Sequence, residues 1–401
     1  MEKKKNRSSL VIAAAVLCCV LAGCGQDARE NGSPSEPDAY ERGYDLPVDP
    51  VEQEEASRDC GEMMKAICAI YEEADKGTAV NAVISQETAE TMQQAVGEKG
   101  VPAVLSGFEG NMLNYEKIDQ FLKDASEGRN SETILYRIHT DGTVSREKFT
   151  YDGQNMYSFY TKADWSDSLE PVCGSGSYAR LNEWSYTDKG WFCYEYCTAK
   201  PPELTEVIDA YEMVRVMPLP EEYRKMQESW LMPVGYQGNN LFSLEWSEEN
   251  MEQLDYNGLF EYFYQMEYGE RIDEEHYAAG IPGGEFEDLM TKYLPVTEEQ
   301  LREYASYDAE SGRYHWVRLG VGNYAPNAFW VSVPEVTGIR ENEDGTVTLT
   351  VDVVCEQKGN DDFYTHEVTL RILDDGEAQY LSNDILDDRP GMIPDYQYRC
   401  G

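Results

Sequence analysis

Between residues 56 and 75, apolar side chains recur at Met63, Met64, Ile67, Cys68 and Tyr71, the spacing of one helix face. A second helix is predicted from Ser85 to Val96, stopping at Gly97. A third is expected to start after Asn114 as its N-cap and to present Ile118, Phe121, Leu122 and Ala125. The period then drops to two. Ile134, Tyr136 and Ile138 alternate with Leu135, Arg137 and His139, and Asp141-Gly142 supplies a hairpin turn. Strands are expected near 144–151, 154–162, 177–186, 190–197 and 211–217, with Asp152-Gly153 as another turn and Pro218 ending the run.

Pro218 and Pro220 mark a boundary, after which the same plan repeats. Helical segments are predicted near 221–230, 256–266 and 285–293, and Thr297 with Gln300 makes a capping box for a helix to Tyr304. Val347, Leu349, Val351, Val353 and Cys355 then share one strand face, opposite Thr346, Thr348, Thr350 and Asp352. Asp375-Gly376 turns the chain into a strand over 378–383. Both halves carry Asp-Gly-Thr-Val, at 141–144 and 344–347, which reads as a shared hairpin start. Helices followed by antiparallel hairpins, twice over, predict an α+β chain of two domains, 56–218 and 219–401.

The N-terminus follows different rules. Lys3, Lys4, Lys5 and Arg7 precede an uncharged, mostly apolar run from Leu10 to Ala22. At about 1.5 Å per residue that run is short for a hydrocarbon core of roughly 30 Å, so it reads as a cleaved secretory leader, residues 1–23. It ends in Leu21-Ala22-Gly23-Cys24, which resembles the lipobox of bacterial lipoproteins. The resemblance implies a diacylglyceryl group on Cys24 and cleavage just before it, and two acyl chains suffice for stable anchoring. From residue 24 to 55 the chain is acidic and holds Pro34, Pro37, Pro47 and Pro50 without hydrophobic periodicity, and it is expected to be a disordered tether. The expected location is the extracytoplasmic face of the cell membrane.

Charge narrows the partners. With 76 Asp+Glu against 33 Lys+Arg the chain carries −43, which opposes binding to nucleic acid or to anionic headgroups and favours weak cation association. Seven cysteines remain beyond the leader and Cys24: Cys60, Cys68, Cys173, Cys193, Cys197, Cys355 and Cys400. No CxxC occurs, and buried free thiols are the expectation, with pairing of Cys173 or Cys400 left open.

The search for chemistry yields no catalytic, cofactor or metal motif. Acid pairs at Glu54-Glu55, Asp361-Asp362, Asp374-Asp375 and Asp387-Asp388 read as solvated charge. The turn near Asp344 fails the EF-hand pattern, since Arg340 stands at the first ligand position and Val351 at the twelfth. His139, His276, His315 and His366 show no zincin spacing. His366 shares a face with Val368, Leu370 and Ile372, which suggests a core histidine or, alternatively, a ligand contact at a cavity mouth. Gly174-Ser175-Gly176-Ser177 lacks the first glycine of a nucleophile elbow and reads as a loop. Trp184, Tyr186, Trp191, Phe192, Tyr194 and Tyr196 could stack on sugars or simply pack on helices.

Gly235-Tyr236, Asn240-Leu241-Phe242 through Trp246, Ile281-Pro282 with Phe286-Glu287, and the stretch from Asp344 to Asn383 resemble uncharacterised surface lipoproteins of clostridial-type Gram-positive bacteria. The expected function is therefore a lipid-anchored envelope protein, a non-catalytic binding or scaffolding module. The alternatives are an extracytoplasmic glycan or peptidoglycan hydrolase, or a carrier holding an apolar ligand between sheet and helices.

Overall fold

The computed structural model describes residues 39–77, 82–107, 110–204, 210–320, 322–373, 376–386 and 391–400. The leader, Cys24 and the tether as far as residue 38 lie outside the described residues. A single turn, α1 (Ala39–Arg42), precedes the longest helix, α2 (Pro50–Glu73). Asp49 caps α2 by accepting the Val51 N–H at 2.8 Å, and Pro50 suits the first helical position. Residues 39–55 are thus structured, which corrects the tether drawn to residue 55. Leu46 is buried and its N–H bonds the Tyr178 carbonyl, while Glu52 pairs with Arg146 and Lys148. Composition alone marked this segment as unfoldable; its cap and its long-range ion pairs decide otherwise.

The helix expected from Ser85 is α3 (Gln86–Gly97), with Ser85 as its cap, and a short strand β1 (Ala103–Ser106) then leads to α4 (Glu116–Ser126). Asn114 does not cap α4. Its φ is 53° and its amide donates to the Gly97 and Val101 carbonyls, so it ties the end of α3 to the entry of β1. The meander is β2 (Ser131–His139), β3 (Val144–Tyr151), β4 (Met156–Trp165), β5 (Pro171–Cys173), β6 (Ser177–Tyr186), β7 (Trp191–Tyr196) and β8 (Tyr211–Arg215). The sheet order is β1-β2-β3-β4-β6-β7-β8, with β5 paired to β4, and β1 runs parallel to β2. On one face α2 and α3 bury Met63, Met64, Ile67, Met92 and Val96 against Tyr136, Ile138, Val144 and Ala163. On the other, Ile118, Phe121 and Leu122 of α4 meet Leu135, Phe149, Phe192 and Tyr194, which the curl of the sheet brings together.

The second half begins with α5 (Glu221–Met226) and continues through α6 (Tyr256–Tyr268), β9 (Ile281–Pro282), α7 (Gly283–Tyr293), α8 (Glu298–Tyr304), β10 (Tyr307–Asp308) and β11 (Arg313–Tyr314). The capping box at Thr297 and Gln300 is formed. A four-stranded antiparallel sheet follows in sequence order: β12 (Val333–Glu341), β13 (Val347–Val354), β14 (Thr365–Ile372) and β15 (Ala378–Ile385). Helices α6 and α7 cover it, with Phe263 stacked on Tyr293 at 4.7 Å and on Tyr380 at 5.7 Å. The two Asp-Gly-Thr-Val segments form matching hairpin turns. Asp141 and Asp344 each accept the N–H and hydroxyl of the threonine two residues on, with Gly142 and Gly345 at φ 74° and 82°. The protein is an α+β chain with more than one domain.

The halves keep separate cores and meet at a seam. Val354 joins Trp191, Cys193 and Met213 there. Beside them Lys189 pairs with Asp352 at 2.6 Å, and Arg215 with Glu335 at 3.1 Å. Trp191 Nε1 also donates to Glu335 at 3.0 Å. Burial pushes the Glu335 carboxyl up to about 7 despite Arg215. In the unfolded chain it ionises near 4.5, so between those values the folded state holds the extra proton. The contribution of Glu335 to stability must then fall as pH rises from about 4.5 to 7. Urea unfolding of the full chain at pH 5 and pH 7.5 should show a loss on the order of 2 kcal/mol in the wild type relative to Glu335→Gln. Equal pH dependence in the two proteins would contradict this.

Candidate functional site

A cavity of about 230 Å³ forms where the C-terminal segment crosses the start of α6. Asp255 organises it. One carboxylate oxygen caps α6 by accepting the Gly258 N–H at 3.1 Å, and the other accepts from the Tyr396 hydroxyl at 2.6 Å and the Arg399 N–H at 3.1 Å. The Tyr398 hydroxyl donates to the Gln253 carbonyl, completing the strap. The far wall is aromatic and rigid: Phe286 stacks on Tyr314 at 4.0 Å, and Tyr314 donates to Glu287, which Arg302 grips through both nitrogens. Asn257 lines the cavity, donates to the His315 carbonyl, and keeps its buried Oδ1 without a hydrogen-bond partner among the described residues.

Cys400 and His315 both line this cavity, yet they do not form a nucleophile and its base. The Cys400 thiol approaches the His315 backbone carbonyl at 3.7 Å, and burial pushes the thiol up to about 11, which keeps it protonated. Asp255 is fully engaged in holding chain segments together. What the cavity offers is recognition: an unpaired amide oxygen, a carboxylate environment from Asp255 and Glu252, and flat aromatic walls. At about 230 Å³ it lies below the roughly 300–1,000 Å³ of most ligand sites. Cys400, His315 and Phe286 were named in the sequence for other reasons, but nothing there joined them to Asp255 and Asn257, because the lining comes from five separated segments with no local spacing.

The other residues weighed in the sequence lie elsewhere. Cys24, Asp374-Asp375 and Asp387-Asp388 lie outside the described residues. Glu54-Glu55 belongs to α2, and Asp361-Asp362 borders the seam, where Lys189 reaches Asp362 at 3.5 Å. The Gly174–Ser177 loop is clipped to α2: Gln53 accepts the Gly176 N–H at 2.6 Å and donates to the Gly174 carbonyl. Of the aromatic string, Trp191, Phe192 and Tyr194 are buried, so they form core and seam and no glycan platform. Tyr194 and Tyr196 instead donate to the buried Glu147, together with Ser158 and the Arg137 guanidinium. All seven described cysteines are free thiols, and Cys60, Cys193 and Cys355 are buried. Among the described residues no group of three or more His, Cys, Asp or Glu is arranged to hold a metal ion, and no helix is long and apolar enough to cross a membrane.

His366 sits in the core and not at a cavity mouth. It is fully buried among Tyr236, Phe242 and Tyr364. Asn383 donates its amide to the Leu244 carbonyl at 2.8 Å, so its Oδ1 must accept from His366 Nδ1, at 2.6 Å. Nε2 then accepts from the Tyr236 hydroxyl at 2.9 Å. Burial lowers the imidazole to about 4, which keeps it neutral. Trp246 exchanges backbone hydrogen bonds with Asn383, so the segment around Phe242–Trp246 is tied to β15 at this polar knot inside the core.

A family model described as "Family of unknown function (DUF6070)" matches residues 53–399, and the chain belongs to that family. No curated protein and no solved structure matches it.

His366→Phe strands the Tyr236 hydroxyl and the Asn383 oxygen in the core, at about 1–3 kcal/mol each. Denaturant unfolding should therefore show a loss of roughly 2–5 kcal/mol. Unchanged stability would place His366 outside the structural role assigned here. The wild-type histidine also contributes stability that is complete above pH 6.5 and declines toward pH 4, because only the unfolded chain takes up the proton in that range.

Proposed function

We propose that this family member is a lipid-anchored, extracytoplasmic binding module of the bacterial cell envelope. The observation that carries the reading is Leu21-Ala22-Gly23-Cys24 at the end of an apolar run that follows Lys3, Lys4, Lys5 and Arg7. Acylation of the Cys24 thiol would supply the two chains that stable anchoring requires. The described elements begin at Ala39, downstream of Cys24. Binding is favoured over catalysis at the C-terminal cavity by the state of its own groups: the thiol is held protonated and the carboxylate is tied to backbone and tyrosine. The high negative charge supports work at a distance from anionic headgroups, on partners of opposite sign.

Metabolic labelling with an alkyne analogue of palmitate tests the anchor. In a bacterial host producing the full chain, label and membrane association should appear in the wild type and disappear in Cys24→Ala. Label retained by Cys24→Ala, or a soluble wild-type chain with its leader uncleaved, would sink the reading.

A further inference from the structure

Strand β2 has one side only partly used. Strand β3 pairs with residues 131–138 of β2, whereas β1 pairs with residues 136–139 alone on the opposite side. The Tyr136 N–H bonds the Pro102 carbonyl at 3.0 Å, so the even-numbered residues of β2 direct their backbone groups toward β1. Glu132 and Ile134 therefore aim N–H and C=O at the same side. Before Val101 the chain has already turned back toward α3, and no described strand continues the line of β1. Beside this bare edge runs an open groove of about 580 Å³, between β2 and α4. Phe121, Ile134, Tyr136 and Pro102 give it an apolar floor. Glu116, Asp124 and Glu132 line it with three carboxylates. Lys117 is the only cation among the lining residues, and its ammonium is bonded to the Gly100 carbonyl at 2.6 Å. Arg129 and Lys148 reach Asp124 and Glu132 from outside the groove.

We propose that this edge is a docking site for an extended basic peptide of a partner protein, which adds to the sheet as a strand along residues 131–135. The peptide backbone satisfies the N–H and C=O groups of Glu132 and Ile134, the mode of recognition that open sheet edges support. Successive side chains of an added strand point to opposite faces, so those on the α4 face can meet Phe121 and Glu116 while those on the other face meet Ile134 and Glu132, an apolar contact and a carboxylate on each. Five residues at about 3.3 Å each give a contact roughly 17 Å long, suited to a short linear segment. Charge selects the occupant. The chain's −43 steers cationic segments toward it, and a second copy of this chain would oppose carboxylate to carboxylate. The inference deepens the binding reading by naming a partner class. Its readout, the amides of β2, says nothing about Cys24, so either proposal can fail alone.

Hydrogen–deuterium exchange on the full chain tests it with an acetylated Lys-Val-Lys-Val-Lys-Val peptide, and with Glu-Val-Glu-Val-Glu-Val as the control. The amides of Glu132 and Ile134 should exchange rapidly in the free chain, and the Lys-Val peptide should slow them at least tenfold. The Glu-Val peptide should leave them unchanged. Glu116→Gln combined with Glu132→Gln should weaken the Lys-Val peptide about fivefold, the scale of two exposed ion pairs. Protection of these amides without peptide would overturn the proposal, whether it persists on dilution (the chain's own segment) or is lost on dilution (a second copy). Equal protection by the two peptides, or none by either at millimolar concentration, would overturn it as well.

Discussion

Thirty-three Lys and Arg side chains face 76 carboxylates, and the fold withdraws several of those cations from water. Arg146 is fully buried between Glu52 and Asp59 of α2, and Arg137 is bound to Glu147 under the curled sheet. Arg215 and Lys189 sit at the seam on Glu335 and Asp352, while Arg399, also fully buried, faces Glu261 beneath the C-terminal strap. Such pairs add little stability over well-packed apolar groups, but an acid left buried without its cation is costly. They therefore act as fixed points: α2 can lie on the meander only where Glu52 and Asp59 reach Arg146, and the halves can meet only where two acids find two cations.

That pattern explains what could be read along the chain. Elements governed by local periodicity were legible: the Asp141 and Asp344 hairpins, the helix starting at Ser85, the Thr297 box and the strands at 144–151 and 177–186 agree closely with the sequence reading. What failed depended on distant partners. Residues 50–55 look like tether until Arg146 and Lys148 are placed beside Glu52. Asn114 looks like a helix cap until the Gly97 and Val101 carbonyls compete for its amide. Strand β1 is only four residues long, which gives no periodicity to detect, and its parallel pairing needs the whole of α4 as a crossover.

The sites divide in the same way. His366 was visible as a polar residue on an apolar face, and the structure supplies the two partners, Tyr236 and Asn383, that make it tolerable there. The cavity at Asp255, Asn257 and Cys400 was not visible, since residues near 255, 305, 315 and 400 converge only through the C-terminal strap. The aromatic hairpin misleads for a related reason. Six aromatic residues in thirteen positions suggest a binding platform, yet a sheet that curls back on itself turns the same side chains inward onto Glu147 and Phe149.

The edge of β2 joins the electrostatic and the topological threads. An unpaired strand edge invites pairing with any chain, including another copy of the same protein, and folds commonly guard such edges with charge. Here Glu116, Asp124 and Glu132 border a strip whose floor is apolar, with Lys117 held on the Gly100 carbonyl and Arg129 and Lys148 reaching Asp124 and Glu132 from outside. On a chain already at −43, such a border opposes the approach of its own copies and of other acidic surfaces, which is why the proposed occupant of this edge is a basic strand. The excess of acid that opposes nucleic acid in the sequence reading is, under that proposal, also what makes an exposed strand edge selective instead of merely aggregation-prone.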